Sequence, residues 1–122
     1  MRGESGIAFS MPGGDVSGPG RSRPVDLAHL ARQTMGDRGL EQEVLALFVQ
    51  QALSVREKIA DAGIKDRLLL AHGLKGSARG VGAFAIADCV TEIELRPEDS
   101  QALTQLGALI DEVRDFVAAI NR

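Results

Sequence analysis

The chain has 122 residues, with 14 basic and 17 acidic side chains and a net charge of −3, so it is sized for one domain. That balance lacks the basic face that nucleic-acid binding needs. Cys89 is the only cysteine, which excludes an intramolecular disulfide and a cysteine-based metal cluster.

Aromatic residues make up 3% of the chain, without Trp or Tyr, so the core must be aliphatic. The N-terminus lacks the apolar stretch of a signal peptide, and no apolar run is long enough to cross a bilayer. A small domain without disulfides fits a reducing compartment, and a cytoplasmic location is expected.

In chain order, residues 1–23 hold six glycines, four serines and two prolines and show no apolar period. Such a segment buries too little surface to offset its ordering entropy and reads as a flexible leader. The helical domain is expected over 24–122. Pro24 and Asp26 suit a first helical turn, and Leu27, Leu30 and Ala31 form a short stripe ending near Met35-Gly36. A second helix is expected from about Gly39 to Ala62, with Val44, Leu47, Phe48, Gln51, Val55 and Ile59 on its inner face and Gly63 as its stop.

A third helix is expected from about Lys65 to Gly80, and a fourth from about Phe84 to Leu95, ending before Arg96-Pro97. Asp99 or Ser100 caps a fifth, whose seam is Leu103, Leu106, Ile110, Val113, Val117 and Ile120. No strand pattern of useful length occurs. The expected fold is all-α: an antiparallel four-helix bundle with an additional short N-terminal helix across one end.

The third helix carries the chemistry. Successive residues turn by about 100°, so Leu70, Ala71, Ser77, Ala78 and Val81 gather within roughly 60° of Leu74 and form the inner stripe. His72 falls about 160° away, facing solvent. Lys65, Leu68, Leu69, Lys75, Gly76 and Arg79 lie on or beside that outer half. Lys75 and Arg79 are expected to rim the imidazole, disfavouring a second ring proton and later attracting an anionic group. Gly76 leaves room for another protein, and Leu68 and Leu69 suit docking. Ser77 is expected to pack inward and bond its own backbone. His29 reads as a surface histidine, and two histidines without a second cluster give no metal site. Cys89 reads as a small buried hydrophobe.

His72-Gly73-Leu74-Lys75-Gly76-Ser77-Ala78, followed by Val81-Gly82-Ala83, resembles the signature of histidine phosphotransfer (HPt) domains. Cys89 with Glu92-Ile93-Glu94, and Asp66 near the start of the histidine helix, extend the likeness, which spans about 25–122. Gly73 departs from the residue often found there. The resemblance implies a multistep phosphorelay protein in which His72 takes a phosphoryl group from an aspartyl phosphate and hands it on. Lys75 would hold phosphoryl oxygens, Gly76 would admit the partner, and Arg79, Leu68 and Leu69 would dock it.

The implied partners are response-regulator receiver domains and a hybrid sensor histidine kinase, with neither nucleic acid nor membrane, the chain acting as a monomer. No cofactor is expected on this chain; Mg²⁺ is expected on the receiver. The sequence has no ATP-binding motif, so a phosphoryl carrier is expected and not an enzyme. Two other readings are a helical adaptor that binds a receiver without phosphate, and the dimeric phosphoacceptor domain of a sensor kinase. The latter usually has an acid where Gly73 stands.

Overall fold

The computed structural model describes residues 23–121. Most of the expected leader, 1–23, therefore lies outside the described residues. Five helices follow in order: α1 (Leu27–Gln33), α2 (Arg38–Ile59), α3 (Ile64–Val81), α4 (Phe84–Leu95) and α5 (Ser100–Ile120). Helices α2 to α5 form a ring in which each packs on the next and α5 closes on α2, while α1 rests on α2 and α3. This is the all-α four-helix bundle with a short additional helix.

Side-chain caps set three of the starts. Asp26, Asp37 and Asp99 accept from the first-turn N–H groups of α1, α2 and α5. Gly63 does not stop α2, which ends at Ile59; it is the N-cap position of α3, with extended backbone and no side-chain bond. The α2 C-terminus is instead satisfied by Arg67, one turn into α3. Its guanidinium donates to the carbonyls of Ile59 (2.9 Å), Ala60 (2.7 Å) and Ala62 (3.2 Å), and to Pro97 between α4 and α5 (2.6 Å). One planar fork thus ties together three segments.

The core is aliphatic, with Leu30, Leu45, Leu74, Ile86, Ile93, Leu106 and Ile110 among its largest buried side chains. On α2 the buried line is Leu45, Phe48, Ala52, Val55 and Ile59. Leu47, expected inside, is 62% exposed, and Val44 and Gln51 are only half-buried. Phe48, Val55 and Ile59 belong to both lines; the buried stripe is rotated by roughly 50°, bringing in Leu45 and Ala52, because α2 packs on α5 as well as on α3. On α5 the expected Leu106, Ile110, Val113 and Val117 are buried, and Ala102 joins them. Leu103 is half-buried and Ile120 exposed, the latter at the rim of a pocket it shares with Leu27 and Ala31 of α1 and Leu45 of α2.

Cys89 is buried, its thiol donating to the Ala102 carbonyl at 3.3 Å, and burial with the Glu92 charge pushes it up to about 11. His29 is not a free surface side chain. Its ring meets Phe84 edge-on at 5.1 Å between centroids, and its Nε2 is buried without a hydrogen-bond partner among the described residues.

The α3–α4 turn depends on one glycine. Gly82 has φ of +91°, and a Cβ there would lie 2.9 Å from the Asp26 carbonyl oxygen. Asp26 N–H also donates to the Gly82 carbonyl at 2.9 Å, fastening the start of α1 to the end of α3. Gly76, by contrast, would place a Cβ in open space. Gly82→Ala is expected to lose about 1–3 kcal/mol through left-handed strain, whereas Gly76→Ala gains up to about 1 kcal/mol of helix propensity. Urea unfolding of both variants checks this; effects of the same sign would contradict the turn geometry.

Candidate functional site

Ala71, Leu74, Ala78 and Val81 anchor α3 in the core, with Leu70 and Ser77 half-buried beside them. Ser77 Oγ donates to the Gly73 carbonyl at 3.3 Å. His72 projects the other way, its side chain 77% exposed.

The cationic rim differs from the expectation. Lys75 is not poised over the imidazole: its side chain is only 18% exposed, and its ammonium donates to Glu94 Oε1 on α4. Position 75 lies roughly 80° from the centre of the buried stripe, on the α4 flank, and its aliphatic stem runs along that interface. The other carboxylate oxygen, Glu94 Oε2, stands 3.5 Å from His72 Nδ1. The nearest charge to the ring is therefore an anion, and it offsets the Lys75 charge there. A proton on Nδ1 faces that carboxylate, and the Nε2 lone pair is left on the side away from it. This tautomer is assigned from the geometry.

Glu94 itself is only 23% exposed. The hydrogen bond from Lys75 holds its carboxyl below the ordinary 4.5, against an upward push from burial; the Lys75 charge and His72 add to the lowering.

The cations that share the histidine's direction are Lys65 and Arg79. Each is seven residues away, about 10 Å along the axis and about 20° round it. Both are exposed, and Arg79 makes no ion pair among the described residues. Gly73, Gly76 and Gly80 are exposed as well, and a Cβ on any of them would meet nothing within 4 Å. Their missing side chains therefore relieve no packing against other helices among the described residues. Leu69 is 64% exposed and Leu68 half-buried.

The residue missing from the sequence-level candidate set is Glu94. A signal existed. In an antiparallel hairpin turning at Gly82-Ala83, His72 lies ten residues before Gly82 and Glu94 eleven after Ala83, so the two stand at one height.

Because the Glu94 carboxyl is lowered on folding, its contribution to stability is present above its ordinary value and lost as pH falls through the lower folded one. The stability gap between wild type and Glu94→Gln is therefore expected to narrow as pH drops below 4.5. Urea unfolding across that range measures it, and a gap independent of pH would show that the Lys75–Glu94 pair is not ionised as assigned.

A family model described as Hpt domain matches residues 43–116, more than half of the chain and all of α3 and α4. The phosphorelay protein LuxU of Vibrio vulnificus strain YJ016 is 32% identical over 83 residues, covering 65% of this chain and 66% of that protein. LuxU of strain CMCP6 matches to the same extent. The chain spans slightly under two thirds of the length of these curated relatives. No solved structure gives a significant match. With its helical bundle and the family match over the histidine helix, the chain belongs to the Hpt domain family.

Proposed function

We propose that the protein is a phosphoryl carrier of a multistep phosphorelay, accepting the group on Nε2 of His72 from an aspartyl phosphate of one receiver domain and passing it to another. The observation that carries this reading is the exposed imidazole with Nδ1 turned toward Glu94. The family and the similarity to a protein named for a phosphorelay support it.

In the forward step the Nε2 lone pair attacks phosphorus. An N–P bond forms as the aspartyl O–P bond breaks, and the aspartate leaves as a carboxylate. The proton stays on Nδ1, so the ring carries positive charge beside Glu94, which stabilises it. Lys75 has three N–H donors and can share them between Glu94 and the incoming phosphoryl oxygens. Lys65 and Arg79 add a longer-range field; at about 10 Å a unit pair is worth roughly 0.4 kcal/mol in water, more once a partner excludes solvent.

The receiver supplies Mg²⁺ and most of the stabilisation of the moving phosphoryl group. This chain relays the group without ATP. It acts as a monomer in the cytoplasm, with receivers and a hybrid kinase as partners. No helix among the described residues is long and apolar enough to cross a membrane.

Incubation with a phosphorylated receiver is expected to place acid-labile label on the wild type and none on His72→Gln. Equal labelling of the variant would end this reading. Lys75→Ala is expected to slow uptake about tenfold, equivalent to ~1.4 kcal/mol of transition-state stabilisation, with helical circular dichroism retained. Loss of helicity would make Lys75 a support of the fold only.

A further inference from the structure

We propose that the segment Ile7-Ala8-Phe9 of this chain docks into a cleft at the foot of the bundle, between α1, α2 and the end of α5. The proposal is independent of the phosphotransfer reading. The foot is the end at which α2 starts and α3 and α5 finish. The cleft there has a volume of about 360 Å³. Its apolar walls are Leu27 and Ala31 of α1, Leu45 of α2 and Ile120 of α5, and its lip holds a cation, Arg38, and an anion, Glu41. Leu45 belongs to the core, whereas Leu27 and Ala31 are half-buried and Ile120 is 41% exposed. Apolar surface from three helices thus meets water in one concave place, and an apolar occupant is favoured there. A volume near the lower limit for ligand pockets suits a few side chains better than a large cofactor.

The occupant follows from the chain that leads into α1. Residues 1–22 precede the described part. They contain a single run of three apolar residues, Ile7-Ala8-Phe9, and Phe9 is one of only four phenylalanines in the protein. Between that run and Arg23 stand residues 10–22, with four glycines and two prolines. A glycine-rich tether of this length has a root-mean-square span of roughly 20 Å. Its near end is fixed at the foot: Val25 is fully buried, and the Asp26 N–H donates to the Gly82 carbonyl. Leu27, on the cleft wall, is four residues past Arg23 and so within about 14 Å of it.

Tether and span therefore match, the condition under which a linked segment reaches an effective concentration in the millimolar range. The charges agree as well. Arg2 and Glu4, ahead of the run, offer one cation and one anion to a lip that carries one of each. His72 is ten residues before Gly82, about 15 Å along the α3 axis. The docked segment thus closes the foot and leaves the His72 face open.

The protein has no tryptophan, so Phe9→Trp in the full chain places a lone indole at the docking position. Its emission is expected to lie to the blue of that in the urea-unfolded chain, and acrylamide to quench it at least threefold less. Ala31→Arg and Ile120→Lys, each made in that background, obstruct the cleft from α1 and from α5. Both are expected to restore the emission and quenching of the unfolded chain, with helical circular dichroism retained. An indole as open to acrylamide in the folded chain as in urea would overturn the proposal. So would protection that survives obstruction of the cleft in a variant that stays helical. Protection that falls on dilution would overturn it too, because the cleft would then hold the segment of a second copy. Phe9→Ser, in the otherwise unchanged chain, is expected to lower the urea midpoint, and an unmoved midpoint would overturn the proposal whatever the fate of the cleft variants.

Discussion

One carboxylate bridging two helices governs the geometry at position 72. Glu94 has a hydrogen bond to Lys75 on one oxygen and faces the His72 ring with the other. A group exposed to water would otherwise sample many rotamers; a partly buried anion at its base reduces that freedom. The bridge exists only if α3 and α4 are in register. That register comes from the turn at Gly82, where left-handed backbone lets the chain reverse within two residues. Asp26 closes over the same turn, so the short first helix also bears on the alignment of the His72 ring.

The bundle divides its labour by face. Inward positions of α3 are aliphatic and small, so the helix sits firmly on its neighbours. Outward positions combine a histidine, three glycines and widely spaced cations. Fixed charge near the ring is balanced, and uncompensated charge stands about 10 Å off.

Much of this was legible in the residues. Helical spacing marks five helices, Asp99 marks the start of α5, and α4 begins and ends where Phe84 and Leu95 predict. The outward turn of His72 follows from Ala71, Leu74 and Ala78 alone. The rest depends on relations between helices, which a single helical wheel does not hold. Lys75 looks free on its own helix and is engaged only because Glu94 arrives from another. Leu47 fits an inner stripe until two neighbours, α3 and α5, fix which way α2 faces. Arg67 carries no motif, and its four carbonyl partners are brought together by the fold. Gly63 signals a break correctly but serves the helix after it and not the one before.

The three outward glycines have a consequence beyond recognition. Each weakens an isolated helix by about 1 kcal/mol relative to alanine, and a segment of this length is marginal in water even with favourable residues. Excised as a peptide, 64–81 would be a coil, and the imidazole would lose its companion from α4. Short synthetic mimics of this segment are therefore poor starting points for phosphoacceptor substrates or decoys; a miniature that works must carry enough of the neighbouring helices to hold the reactive one in shape.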